Sequence, residues 1–149
     1  MRNMGTDEFV GHLRDAFPAV PLDFSGALTG GTDGGEFRDA VDGKRWTEVD
    51  RTLIGRRSDV LSFLEPKHLV AVLPAFMHAL VEEGTKTGIP DTLLLVLDAA
   101  AEPRFSRIEQ LLTDAQRAVV IEALEAFAAN ESGQPSDAAC QAIRGWRSK

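Results

Sequence analysis

The feature that most constrains the fold is the spacing of apolar residues between positions 66 and 84. They recur every three or four residues, which places them on one side of a helix rather than on one face of a strand. These residues are Leu69, Val72, Leu73, Phe76, Met77 and Leu80. Pro66 suits the first helical position, because its missing amide hydrogen would have no partner there, and Gly84 is typical of a helix end. Pro74 cannot donate to the carbonyl of Val70, so we predict a proline-kinked central helix over 66–84.

Shorter segments repeat this helical spacing, and no segment shows the alternation of a strand. Valine and isoleucine never alternate with polar residues over a useful length. At 149 residues, the chain has the usual length of one domain. We therefore predict an all-α fold, a single domain over residues 1–149 built as a compact bundle of about six to eight helices. The other helices are predicted near residues 6–17, 36–42, 58–64, 91–102, 104–112, 114–129 and 137–147.

Glycine is concentrated in one stretch between the first two predicted helices. Residues 22–35 read LDFSGALTGGTDGG and contain five glycines. This composition predicts a flexible glycine-rich loop at 25–35 that separates elements rather than domains. Glycine amides can bind phosphate, but neither GxGxxG nor the lysine and hydroxyl of a Walker loop is present. Asp33 and Glu36 could coordinate a calcium ion, but the regular ligand spacing of a calcium loop is missing.

The charge of the chain bears on its partners. The formal net charge is −7 at pH 7, and such a field repels phosphate backbones while it favours encounter with basic surfaces. We therefore expect no nucleic-acid partner and favour a basic protein.

Cysteine content and hydropathy bear on the compartment. Cys140 is the single cysteine, which excludes an intramolecular disulfide and fits a reducing cytoplasm. The N-terminal sequence MRNMGTDEFVGH has no apolar run of signal-peptide length, and the most apolar stretch, at 93–97, is stopped by Asp98. We expect a cytoplasmic protein with no membrane span.

Residues that could carry chemistry are few. The three histidines, His12, His68 and His78, form no HExxH motif, and we expect them to be solvated or to cap helices, with His68 on the exposed rim of the central helix. Cys140 lies among small residues and is expected to pack as a small hydrophobe. We therefore predict no catalytic residues, no metal ligands and no cofactor.

An acidic segment around Trp46 is the predicted partner-binding surface. An aromatic anchor within an acidic patch suits a basic protein partner, although Trp46 could instead be a core residue. The predicted surface consists of Asp33, Glu36, Asp39, Asp42, Trp46, Glu48 and Asp50. A basic cluster is interleaved with it, which favours an ion-paired surface over an anion site. Its members are Lys44, Arg45, Arg51, Arg56 and Arg57.

Several stretches together resemble a known family. Trp46 is followed by LSFLEPKHLVAVLPAF, LLLVLD, RFSRIEQLLTDAQRAVVIEALEAF and a terminal AIRGW. Over about residues 36–147 the chain resembles a family of small uncharacterised bacterial all-helical domains, in which a tryptophan precedes "LsFL-P", "LPAF/LPAY" and "LTxxQ" segments. The motifs are mostly apolar, so the resemblance implies a shared helical fold and supplies no catalytic residues.

The leading functional hypothesis is a non-enzymatic protein-interaction module, for example an immunity protein that neutralises a basic bacterial toxin. Small size, acidic charge and the lack of a catalytic motif motivate it. One alternative is a small-ligand-binding or hydrolytic domain with a cleft near His68 and His78. Another is a structural subunit of a larger assembly, and the oligomeric state is left open.

Overall fold

The computed structural model describes residues 5–24, 32–99, 101–131 and 133–147. These residues form eight α-helices and no strand, which confirms the all-α prediction. The helices are α1 (Gly5–Ala16), α2 (Thr32–Val41), α3 (Arg51–Arg56), α4 (Pro66–Glu83), α5 (Ile89–Val96), α6 (Arg104–Leu111), α7 (Asp114–Asn130) and α8 (Gln134–Arg147). Three 3-10 turns lie between them, at Trp46–Glu48, Ser58–Ser62 and Gly84–Lys86.

Helix α4 is the centre of the molecule. It contacts α1, α3, α5, α6 and α7, and its predicted apolar face is fully buried. Pro66 occupies its first turn, and Gly84 follows its end with a positive φ of 54°, where a side chain on Cβ would be strained. The helix runs from 66 to 83 without interruption, with Pro74 inside it. The kink at Pro74 stays a prediction.

The glycine-rich stretch is more helical than predicted. Helix α2 begins at Thr32, so residues 32–35 of the predicted loop are helical, and residues 25–31 lie outside the described part of the chain. Phe37 and Val41 in the same helix are fully buried. Packing of such an apolar face stabilises a helix more than intrinsic propensity does, which accounts for glycines within α2.

Helix α5 is shorter than predicted and less buried. It ends at Val96 instead of near residue 102, and Leu95 is 70% exposed. The backbone leaves the helix at Leu97, whose carbonyl accepts a hydrogen bond from the indole of Trp146 at 2.8 Å. The indole of Trp146 thus supplies the hydrogen bond that a backbone amide would donate to this carbonyl if α5 continued.

Candidate functional site

The predicted acidic surface is largely engaged in local structure. Asp42 accepts a hydrogen bond from the amide of Phe24 at 2.8 Å, and Glu48 accepts one from the amide of Arg45 at 2.9 Å. Asp50 is the N-cap of α3 and accepts from the amide of Thr52 at 3.0 Å. These three carboxylates therefore have structural roles that explain their presence without a partner.

The remaining carboxylates of this surface lie on α2. Glu36 accepts from Nη2 of Arg56 at 3.3 Å and lies 3.7 Å from Nε of Arg57. Asp39 is 80% exposed and lies 3.6 Å from Nε of Arg38. Asp33 is in the same helix, but its side chain is outside the described part. Arg56 and Arg57 of the interleaved basic cluster are thus ion-paired, whereas Nε of Arg45 donates to the carbonyl of Ala19 at 3.2 Å.

Trp46 is not an exposed anchor. It is 5% exposed, and its indole Nε1 donates to the carbonyl of Phe17 at 2.8 Å. The alternative interpretation, a core residue, is therefore the correct one. A buried indole with its one donor satisfied cannot act as the aromatic anchor of a flat interface.

The three histidines do not form one site. His68 and His78 are ten positions apart on α4, or about 15 Å along its axis. His68 is 9% exposed, so its predicted place on the exposed rim is wrong. Its ring lies 5.1 Å from that of Phe24, and its buried Nδ1 has no hydrogen-bond partner among the described residues.

His78 lies in a polar network between α3 and the end of α4. Its Nδ1 is 3.3 Å from Nη2 of Arg51, and Arg51 Nη1 also donates to Glu82 at 2.8 Å and to Glu83 at 2.9 Å. A guanidinium can only donate, so Nδ1 is the acceptor in this contact, and Nε2 lies 3.0 Å from Oε2 of Glu82. Burial opposes ionisation of Glu82, but Arg51 and His78 more than offset this effect and lower the pKa of that carboxyl.

A cavity of about 300 Å³ opens between the segment that follows α1 and the first half of α4. Its walls are mainly apolar, and three prolines contribute to them. The lining residues are Phe17, Pro18, Val20, Pro21, Leu22, Asp23, Trp46, Val70, Ala71, Pro74 and Gln116. The amide of Gln116 is held in place, because it donates to the carbonyl of Ala16 at 3.0 Å and accepts from the amide of Thr113 at 3.0 Å.

A second, smaller cavity of about 80 Å³ also has Trp46 in its wall. Its lining contains two arginines and a histidine and no carboxylate. The residues are Arg14, Trp46, Thr47, Val49, Arg51, Ile54, Ala75 and His78. Pro74 lines the larger cavity, and Ala75, the next residue of α4, lines the smaller one. We refer to the two cavities together as the Trp46 cleft.

Sequence reasoning identified parts of the Trp46 cleft but not the cleft itself. Trp46, Arg51, Pro74 and His78 were each singled out for another reason. Residues such as Arg14 and Val20 carry no local signal, because segments distant in the chain supply the walls.

Other candidate chemistry is limited. Among the residues that the structure describes, no group of three or more His, Cys, Asp or Glu side chains is placed to hold a metal ion. Cys140 is exposed, so the expectation that it packs inside was wrong. None of the described helices has the length and apolar character needed to cross a bilayer.

Comparison with known proteins gives one match. A protein-family model described as "Family of unknown function (DUF6714)" matches residues 8–149. This match agrees with the predicted resemblance to an uncharacterised domain family, while a bacterial origin stays a prediction. No curated protein and no solved structure matches the chain.

Proposed function

The chain belongs to DUF6714, a family of unknown function, and from this premise we propose that it is a binding protein for a small, largely apolar ligand. The ligand would occupy the Trp46 cleft, with most of its surface in the larger cavity. The observation that carries the proposal is the 300 Å³ cavity itself, whose walls are mainly apolar. Ligand sites of proteins range from about 300 to 1,000 Å³ and are mostly apolar in this way, so a small molecule fits best.

The walls of the larger cavity are held in place before any ligand arrives. The segment from 17 to 23 is tied to the turn at 43–46 by two backbone hydrogen bonds, from Leu22 N to Lys44 O at 2.8 Å and from Gly43 N to Leu22 O at 2.7 Å. The bond from Trp46 to Phe17 adds a third connection. Walls fixed in this way reduce the entropy that is lost when a ligand binds.

Filling the larger cavity tests the proposal. Ala71 is half-buried in its wall, so Ala71→Phe places a ring where the ligand would lie. With 1-octanol as a neutral apolar probe, we expect methyl NMR signals of Val70, Ala71 and Val20 to shift on titration into the wild type. In Ala71→Phe the shifts of Val70 and Val20 should be absent, while the thermal unfolding midpoint shows that the variant is folded.

A second variant keeps the test independent of core packing. Val20 is 60% exposed at the rim of the cavity, so Val20→Glu should fold normally and weaken the binding of octanol by placing a charge beside its chain. Leu95→Glu, at an exposed position of α5, is the matched control. Absence of any wild-type shift up to the solubility limit of octanol would contradict the proposal.

A complex with a basic protein such as a toxin stays a separate prediction. Its support is weaker, because Trp46 is buried and most carboxylates near it pair locally. The side chain of Asp39 is 80% exposed, so Asp39→Lys should weaken such a complex more than any substitution in the cleft.

A further inference from the structure

We infer that the ligand of the Trp46 cleft is an anionic amphiphile: a monocarboxylate whose apolar chain lies in the larger cavity and whose carboxylate lies in the smaller one. This inference rests on the proposed function and adds the chemical class of the ligand. It comes from the contrast between the two cavities, which share Trp46 but differ in size and in polarity.

The charged side chains that line the smaller cavity are basic, in a protein that is otherwise acidic. The chain carries a net charge of −7, yet the side chains that line this cavity include Arg14, Arg51 and His78 and no carboxylate. Arginine donors in a partly enclosed site favour a carboxylate through charge-assisted hydrogen bonds. A cationic head group would find no acceptor of opposite charge in the same lining.

Arg14 supplies the guanidinium that is available to a ligand. Arg51 is already paired with two carboxylates, those of Glu82 and Glu83, whereas no hydrogen bond or ion pair joins Arg14 to another residue in the described part of the chain. Arg14 is exposed at the last turn of α1, so its guanidinium can adjust to a ligand. Its positive charge also lies where the helix dipole is negative, which stabilises the arginine there without a carboxylate.

The sizes of the two cavities fix the orientation of the ligand. About 80 Å³ is the volume of roughly two or three water molecules, at about 30 Å³ each. That volume accepts a carboxylate but is too small for an eight-carbon chain. The larger cavity can take the chain, because its walls are mainly apolar.

The charge of the probe and the charge of Arg14 test the inference. Octanoate and 1-octanol have the same chain length and differ in charge, so we would titrate both by calorimetry into the wild type, Arg14→Gln and Arg144→Gln at low salt. Octanoate should bind the wild type at least about tenfold more tightly than octanol. Arg14→Gln should remove this preference, chiefly by weakening the binding of octanoate.

Arg144→Gln is the matched control. Arg144 is exposed on α8 and is not part of either cavity, so its loss changes the net charge equally and should preserve the preference. Equal affinity for octanoate and octanol, or tighter binding of octylammonium, would overturn the inference and leave the proposed function standing. If no probe binds the wild type, both fail.

Discussion

At the scale of single residues, two glycines in helices have opposite surroundings. A Cβ built at Gly145, in α8, would lie 2.7 Å from the Cβ of Ala99, whereas carbon atoms pack at about 3.5–4.0 Å. At Gly11, in α1, no atom lies within 4 Å of such a Cβ. The first glycine permits close approach of α8 to the turn after α5, and the second has no packing role.

We therefore expect opposite effects from the same substitution. Gly145→Ala should lower the free energy of unfolding by about 1–3 kcal/mol because the new methyl group overpacks the contact. Gly11→Ala should raise it by about 0.5–1 kcal/mol because alanine favours the helix more than glycine does. Urea unfolding of the two variants beside the wild type measures both values. A stabilised Gly145→Ala variant would show that α8 is free to move away from Ala99.

At the scale of elements, α1 and α7 pack together and are joined by an exposed polar contact. Nδ1 of His12 lies 3.0 and 3.1 Å from the two carboxylate oxygens of Glu122. The hydrogen bond that His12 donates to Glu122, and then the negative charge of that carboxylate, raise the pKa of His12 above its ordinary value. The protonated histidine therefore favours the folded state, in which this partner is present.

The sign of the pH dependence follows from this raised pKa. The stabilisation is fully present below the pKa of His12 in the unfolded chain and is lost as the pH rises through the higher pKa of the folded protein. The wild type should therefore exceed His12→Gln in urea midpoint at about pH 5.5, and the difference should vanish near about pH 9. Glu122→Gln should behave like His12→Gln. A difference that grows with pH would contradict the assignment.

At the scale of the whole molecule, the core is one cluster that runs from Phe9 to Trp146. Trp46 belongs to this cluster beside α4, and Trp146 belongs to it beside Phe105, with ring centres 5.0 Å apart. A continuous core predicts that the chain unfolds as one cooperative unit.

Two single-tryptophan variants test this cooperativity. Trp46→Phe and Trp146→Phe each leave one fluorescent reporter in a different part of the core. In each variant, we expect the urea transition seen by fluorescence to coincide with that seen by far-ultraviolet circular dichroism. Transitions with separate midpoints in either variant would indicate more than one folding unit and would contradict the single-domain prediction.

The sequence by itself determined the features that depend on residues within one helical turn. The spacing of Leu69, Leu73 and Phe76 specified α4, and Pro66 and Gly84 marked its ends. Thr113 and Gln116 form a capping box at the start of α7, in which the hydroxyl of Thr113 accepts from the amide of Gln116 at 3.1 Å. Such features can be read from the sequence because the interacting groups are a few positions apart and helical geometry fixes their distance.

Only the tertiary structure decided which side chains are buried and where a cleft remains. His68 is buried because Phe24 packs against it, and Trp46 is buried because the chain near Phe17 returns to it. The walls of the Trp46 cleft come from segments as distant as Val20 and Gln116. No local sequence pattern predicts contacts between such distant segments, because apolar burial is non-directional and depends on the shapes of all the packed elements together.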